Sequence, residues 1–220
     1  MPTASSQRTR LRRNPKRGVF DRATIDAILD EAPICHLGFV DGGQCFVLPT
    51  LHARSGDELL LHGSAAGRAM RTLAAGAPVC VTVTLVDGLV LARSAFHHSM
   101  NYRCVVLLGT VRVLGAPAEK EAALEAFTEK LVPGRWPAVR PPSAQELKAT
   151  TVLALPIDEA SAKVRTGPPV DDDEDYALDA WAGVIPLELT AGPAIPDPRM
   201  RPDAAQPEHV RTYTAAHGPR

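Results

Sequence analysis

The chain has 220 residues, of which 45% are hydrophobic, and a formal net charge of −1 at pH 7. This length allows one domain with a full hydrophobic core plus tails, and the composition excludes wholesale disorder. The balanced charge excludes a general attraction to nucleic acid or anionic membranes, and no apolar run reaches the roughly 18 residues of a membrane span.

The N-terminal residues 1–20 form a basic arm without an acidic residue. Such an arm can contact nucleic acid or an anionic ligand, but a solvated terminus is the more common reading, so we expect no nucleic-acid partner. The four cysteines lie in strand-like apolar runs and lack zinc or redox spacing, which is typical of a reducing compartment. We therefore expect a cytoplasmic protein that does not enter a membrane.

After the arm, the sequence predicts one helix and then three strands. Asp21 is a plausible N-cap for the helix FDRATIDAILDEA. The strands are ICHLGFV, QCFVLPTLHAR and ELLLH, joined by the tight turns DGG and SGD. Connections this short predict an antiparallel meander and exclude a doubly wound parallel fold.

Further elements follow in the second half of the chain. A helix is expected up to about Gly76, then a long strand over 78–95 or a hairpin turning at Asp87 and Gly88. Another strand, a helix over APAEKEAALEAFTEKLV and a short helix with capping-box spacing come next. The remaining predicted strands cover 151–157, 160–166 and 181–190.

These elements predict a mainly β fold, an antiparallel β-barrel of about six strands with peripheral α-helices. The predicted domain covers 21–191. Residues 192–220 are rich in Pro and Ala without periodicity, so we expect a mostly disordered tail.

The segment HGSAAGRAMR lies where the third strand passes into a helix. A helix N-terminus offers unpaired N–H groups, small residues allow a phosphate to approach, and an arginine fork suits phosphate oxygens. The segment therefore has the chemistry of a phosphate-binding site, although Gly63 and Ser64 could simply end a strand and cap a helix.

The order and spacing of these motifs resemble the FMN-binding split-barrel family of pyridoxamine 5'-phosphate oxidase-like proteins, especially its nitroimidazole-reductase-like branch. The resemblance rests on DRATIDAILDEAPICHLGFV, VLPTLHAR, LLLHGSAAGRAMRTL, HHSMNYRCVVLLGTVRV and KVRTGPP with WAGVIPL. It implies a homodimer with FMN in clefts between the two chains.

The resemblance also implies a set of cofactor-binding positions. The strand around PTLH would lie along the flavin ring. The HGS turn and the start of the following helix would bind the phosphate. The YRC segment would approach from the partner chain, and a late tryptophan would close the site. The residues at these positions are Thr50, Leu51, His52, His62, Gly63, Ser64, Arg68, Ala69, Tyr102, Arg103, Cys104 and Trp181.

The function implied is an FMN-dependent oxidoreductase acting on a small molecule, with hydride supplied by a reduced nicotinamide or a deazaflavin. The alternative is a non-catalytic flavin-binding carrier or sensor, and haem replaces flavin in some relatives. Oxidation of pyridoxamine phosphate itself is not expected, because the tryptophan-rich, arginine-bearing final strand is missing. The histidines show no metal-binding spacing, and no side chain is an obvious catalytic group, although His97 or His98 could donate a proton.

Overall fold

The computed structural model describes residues 6–10, 12, 14–201 and 203–219. Its strands are β1 (Gly18–Val19), β2 (Ile34–Asp41), β3 (Gln44–Leu51), β4 (Ala53–Ser55), β5 (Glu58–Ser64), β6 (Val79–Leu91), β7 (Ser99–Gly109), β8 (Arg112–Val113), β9 (Thr150–Pro156), β10 (Ala160–Arg165) and β11 (Gly183–Pro186). Its helices are α1 (Arg22–Glu31), α2 (Arg68–Ala74), α3 (Pro117–Leu131), α4 (Ala144–Ala149) and α5 (Glu208–His217).

The strands form two antiparallel sheets. The larger sheet has the order β1-β10-β7-β6-β2-β3, with β11 also paired to β6, and the smaller has the order β4-β5-β9-β8. This confirms the predicted class, a mainly antiparallel β fold with peripheral helices. The strand count is higher than expected because several short strands extend the sheets.

The main core lies between the two sheets. Alternate residues of β2 point inward, among them Leu37 and Phe39, and meet Leu61 of β5 and Leu155 of β9. Helix α1 closes this core with the apolar side chains of one face. Because the large side chains of this cluster are almost fully buried, their burial is the main stabilising contribution, at about 25 cal/mol per Å² of apolar surface.

A second, smaller core lies on the other face of the small sheet. Helix α3 packs there, with Phe127 against Leu60 and Val152. This places α3 outside the barrel, across the small sheet from the main core.

The chain changes sheets at His52. The predicted strand 44–54 is divided there into β3, which pairs with β2, and β4, which pairs with β5. The turn before β3 has Gly42 and Gly43 at φ values of 56° and 81°, which glycine adopts at no steric cost.

Strand β6 is continuous, so the predicted alternative of a hairpin at Asp87 and Gly88 is wrong. The pairing of β6 with β7 instead shifts register between Val86 and Gly88. A bulge can absorb an Asp-Gly pair within a strand, and pairing with β7 and β11 holds the end of β6 in the sheet.

The segment expected to be a disordered tail contains helix α5 in the structure. The backbone N–H of Ala191 donates to the carbonyl of His217 at 2.7 Å, which ties the end of α5 to the start of this segment. None of the described helices is long and apolar enough to cross a membrane.

Candidate functional site

The predicted phosphate-binding junction forms a tight turn between β5 and α2. Within it, Gly67 donates its N–H to the carbonyl of Ser64 at 2.8 Å, and the Ser64 hydroxyl accepts from Ala66 N at 3.3 Å. A Cβ on Gly63 would lie 3.0 Å from Met70 Cγ, so glycine lets α2 pack closely on the strand. No side chain caps the N-terminus of α2.

Arg68 opens α2 and extends from the junction towards the β2–β3 hairpin. Its guanidinium carbon lies 4.7 Å from the Phe46 ring centroid, and its Nε lies 3.7 Å from a carboxylate oxygen of Asp41. The side chain is 57% exposed. Ala69 packs against the main core and presents only its backbone to the junction.

The inner face of β3 is covered only in part, where Phe46 packs against the main core. Phe46, Leu48 and Thr50 alternate onto the face shared with the inward-pointing residues of β2, yet Leu48 is 42% exposed. Strand β3 also ends the order of its sheet, so it pairs on one side only. We call this strip of partly exposed side chains beside an open strand edge, with Arg68 at its Phe46 end, the β3 groove.

His62 lies on the opposite face of the small sheet from the main core. Its ring packs on Phe127 with centroids 4.3 Å apart. Burial lowers the pKa of His62, and its Nδ1 is buried without a partner among the described residues. The imidazole therefore does not join Ser64 and Arg68, although its backbone leads into their turn.

His52 is also directed away from the groove. Its ring is 1% exposed, and its Nε2 lies 2.8 Å from the carbonyl oxygen of Leu29 and 2.9 Å from Nζ of Lys130. Lys130 also donates to Leu29 O at 2.7 Å. Burial is the main cause that lowers the pKa of His52 to about 4 and that of Lys130 to about 8.

A pocket of about 80 Å³ adjoins this pair. It is bounded by α1, α3, the β3–β4 corner and α5, and its lining residues are Asp30, Glu31, Pro33, Leu51, His52, Phe127, Lys130, Leu131 and Tyr213. Its volume is far below the roughly 300 Å³ and more of ordinary cofactor sites. The sequence analysis did not identify the cluster of His52 and Lys130, because the helical pattern predicts an exposed position for Lys130.

The sequence matches one known protein family over most of the β-rich part of the chain. Residues 21–164 match the family model described as pyridoxamine 5'-phosphate oxidase. The chain belongs to this family.

Two solved structures of similar length resemble this member of the oxidase family. The flavocytochrome Anf3 from Azotobacter vinelandii is 45% identical, with a TM-score of 0.91, covering 96% of this chain and 99% of that one. A protein described as FAD and haem binding, from Mycobacterium smegmatis, is 39% identical, with a TM-score of 0.87, covering 90% and 97%.

A more distant structure shares the fold. It is a candidate 5-nitroimidazole antibiotic resistance protein from Bacteroides thetaiotaomicron, 24% identical, with a TM-score of 0.57, covering 67% of this chain and 86% of that one. The search of curated proteins found no significant match.

Tyr102, Arg103 and Cys104 on β7, which were expected to approach the cofactor from the partner chain, lie beside groups of their own chain. Arg103 donates through Nε and Nη2 to Asp87 at 3.0 and 2.7 Å, and through both terminal nitrogens to Glu31. These two carboxylates raise the pKa of Arg103. Tyr102 has Lys163 Nζ 5.8 Å from its ring centroid, and burial raises the pKa of the Cys104 thiol.

Trp181 is 70% exposed and lies beside the start of β11, where its ring occupies the space that a Cβ on Gly183 would need. This places it at the far end of β6, along with the pair His97 and His98. His97 Nε2 lies 3.3 Å from Asp172, and Asp175 is close enough for the three groups to lie within 4.8 Å of one another. His98 Nδ1 lies 2.9 Å from the Ser94 carbonyl oxygen.

Proposed function

We propose that this chain binds a flavin and a haem and acts as an oxidoreductase on a small molecule. The supporting observation is the likeness to Anf3 over 96% of the chain, which extends beyond the family match at 21–164 into the C-terminal segment. Of the two similar structures above, one is described as a flavocytochrome and the other as FAD and haem binding. The expectation of FMN, with haem as an alternative cofactor, is thereby widened to a flavin nucleotide, FMN or FAD, together with haem.

The groove along β3 fits a flavin nucleotide. An isoalloxazine ring needs an apolar surface and hydrogen-bonding groups at its edge, which the Leu48 and Thr50 face and the unpaired edge of β3 supply. Phe46 precedes Thr50 by four residues, about 13 Å along a strand. An extended flavin nucleotide with its ring at Thr50 and Leu51 would therefore bring its phosphate towards Arg68.

Arg68 is free to bind that phosphate. Its contact with Asp41, at 3.7 Å, is longer than a hydrogen bond, and both side chains are exposed. Exposed ion pairs of this kind contribute roughly 0–1 kcal/mol, so exchanging Asp41 for a phosphate costs little. Ser64 and the backbone of Ala69 complete the phosphate-binding site.

His98 is the histidine best arranged to hold a haem iron. A carbonyl oxygen can only accept, so Nδ1 of His98 must carry the hydrogen that it donates to Ser94, which leaves Nε2 with a free lone pair. Metal-ligating histidines usually show this arrangement, with the second ring nitrogen fixed by a carbonyl or carboxylate. The ring is exposed to an approaching ligand.

The other histidines fit less well. His52 is buried with Nε2 engaged, and His62 is packed beneath α3. His97 and His209 direct Nε2 at Asp172 and Arg135. His217 shares the carbonyl contact but stacks on Tyr213 within α5, and His36 shows no hydrogen bond that fixes its ring among the described residues.

An exposed apolar surface lies beside His98. Met100 of β7, Leu89 of β6 and Ile185 of β11 stand opposite one another in the sheet and are 38–46% exposed. Phe96, which is 87% exposed, lies two residues before His98. His98 directly precedes β7, and a haem held by His98 would cover this surface with its apolar macrocycle.

When bound, a flavin accepts hydride and passes on single electrons, and a haem carries single electrons or binds a small ligand. The chain's own residues position both groups and exclude water. A reduced nicotinamide or a deazaflavin remains the expected hydride donor. The alternative function, a flavin carrier without turnover, would use the same groove.

We also propose that the protein is a homodimer with its cofactors near the interface. On the face opposite the groove, strands β2 and β3 expose Ile34, Val40 and Val47, and clustered exposed apolar side chains mark interaction surfaces. A second copy of the chain would cover this face.

Titration of cofactor-free protein with FAD, FMN and haemin tests the proposal. We expect one flavin and one haem per chain, and a histidine-ligated haem spectrum that His98→Ala abolishes while the control His217→Ala retains it. Absence of haem binding by the wild type would overturn haem as a cofactor. Loss of the histidine-ligated spectrum in His217→Ala alone would leave haem binding intact but reject His98 as the ligand.

A further inference from the structure

We propose that the pocket beside Lys130 binds small neutral aldehydes and that the Lys130 amine forms an imine with them. This inference does not depend on the flavin or haem proposal. The pocket lies outside the β3 groove, on the side where α3 and α5 cover the β3–β4 corner.

The first observation is that Lys130 has no acidic partner. None of the ion pairs among the described residues includes Lys130, although its Nζ is partly buried between Leu29 O and the His52 ring. Asp30 is close enough to favour the charged amine, but it forms an ion pair with Arg54, and Glu31 forms one with Arg103. A buried ammonium without a carboxylate is unfavourable, and lysines in such sites become neutral and nucleophilic.

The second observation concerns the hydrogen bonds among Lys130 Nζ, His52 Nε2 and Leu29 O, which depend on the protonation state of the lysine. If Lys130 were charged, it would donate to Leu29 O and to His52 Nε2, and the imidazole hydrogen would then stand on Nδ1, which is buried without a partner. If Lys130 is neutral, it donates one hydrogen to Leu29 O, and the His52 hydrogen stands on Nε2, where the Leu29 carbonyl oxygen at 2.8 Å and the Lys130 lone pair at 2.9 Å can both accept it. The geometry therefore stabilises the neutral amine relative to the charged one, in the same direction as the burial that lowers the pKa of Lys130 to about 8.

The volume and the lining of the pocket determine which class of ligand it can bind. Its volume of about 80 Å³ admits only a small molecule, and Leu51, Phe127 and Leu131 give it apolar walls. The carboxylates of Asp30 and Glu31 at its rim disfavour an anionic ligand. A short neutral aldehyde meets these conditions.

The reaction balances without an oxidant or reductant. The Lys130 lone pair forms a C–N bond to the carbonyl carbon as the C=O π electrons move to oxygen, which takes up a proton. A proton leaves the nitrogen, and loss of water then gives the imine. His52, through the hydrogen on Nε2, positions the amine and can pass a proton between nitrogen and oxygen.

Site-resolved labelling tests this inference. The purified protein is treated briefly with propionaldehyde and cyanoborohydride at pH 7, and the alkylation rate of each lysine is measured by peptide mass spectrometry. Lys120 is the matched internal control, because its Nζ also donates to two carbonyls, at 3.0 and 2.8 Å, but lacks a histidine neighbour. Lys148 serves as the exposed control.

We expect Lys130 to be alkylated at least about tenfold faster than either control, because a larger fraction of its amine is neutral at pH 7. A bulky aromatic aldehyde should lose this preference, since it does not fit the pocket. Equal rates for Lys130 and Lys148 with propionaldehyde would overturn the reactive amine. An undiminished preference with the bulky aldehyde would overturn the pocket as the binding site.

Discussion

At the scale of single residues, Arg68 joins the two parts of the proposed flavin site. It leaves the phosphate-binding junction at the start of α2 and lies over Phe46 at the end of the β3 groove. Sequence reasoning identified Arg68 because strand, small-residue turn and arginine follow one another along the chain. It could not show the contact with Asp41, which depends on the hairpin folding back on α2.

Replacing Arg68 by Ala should weaken flavin nucleotide binding by about 1–3 kcal/mol, the loss expected for a hydrogen bond to a charged group. Riboflavin, which has no phosphate, should bind equally well to both proteins. The measurement is a fluorescence titration of each flavin. Arg71→Ala, an exposed arginine on the same helix, is the control, and an equal effect of the two substitutions would contradict a phosphate contact by Arg68.

His52 should make the fold sensitive to mild acid. Burial lowers its pKa below the ordinary value of 6.5 to about 4, so between these two pH values the unfolded chain binds a proton that the folded chain does not. The stability contributed by the neutral ring is therefore complete above pH 6.5 and is lost as the pH falls towards 4. The loss is at most about 3 kcal/mol.

Urea unfolding at pH 7 and pH 4.5 measures this loss. His52→Gln, whose amide can still donate to Leu29 O and accept from Lys130, should have a much smaller dependence on pH than the wild type. His98→Gln, which changes an exposed histidine, should keep the wild-type dependence. If His52→Gln lost as much free energy of unfolding between pH 7 and pH 4.5 as the wild type does, the acid sensitivity would come from other groups.

The contacts of Lys130 mark the limit of prediction at the residue scale. Its partners, Leu29 and His52, are 101 and 78 residues away in the chain. Helical periodicity indicates that α3 is amphipathic, but it does not show which lysine faces the corner where β3 becomes β4. Side chains brought together only by packing leave no local signal in a single sequence.

At the scale of elements, a feature could be predicted from the sequence where all of its contacts lie within a few residues of one another. Helix α4 has the expected capping box, in which Ser143 Oγ accepts from Glu146 N at 3.3 Å and Glu146 accepts from Ser143 N at 2.7 Å. The continuous strand β6 was not predicted firmly, because Asp-Gly is a turn signal whose outcome here depends on pairing with β7 and β11.

Ser143→Ala should lower the free energy of unfolding by about 1 kcal/mol, the typical contribution of an N-cap. Ser143→Asp, which retains a capping oxygen, should remain within a few tenths of a kcal/mol of the wild type. Chemical denaturation of the three proteins makes the comparison. An alanine variant as stable as the aspartate variant would show that the cap contributes nothing.

At the scale of the whole molecule, the apolar face of β2 and β3 should be an interface between two copies of the chain. Val47→Lys places a charge in this face and should convert a dimer to a monomer in light scattering coupled to size exclusion. Val113→Lys, which changes an exposed valine on the small sheet, is the control. A wild-type protein that elutes as a monomer at all concentrations would contradict the dimer.

The fold class and the succession of strands along the chain followed from alternation and turn signals, but the predicted three-strand meander did not hold, because the chain passes to the smaller sheet at His52. The proposed addition of haem to a flavin did not follow from these signals, because it rests on the likeness to relatives over the C-terminal segment. That segment lacks periodicity in the sequence, yet it contains α5 and contributes Tyr213 to the wall of the Lys130 pocket.

The visible absorption spectrum of the purified protein, supplied with iron and flavin precursors during expression, tests the central proposal most directly. We expect flavin bands together with the Soret band of a bound haem, at one of each per chain. Flavin bands without a Soret band would reduce the proposal to a flavoprotein, and a spectrum with neither would contradict the account.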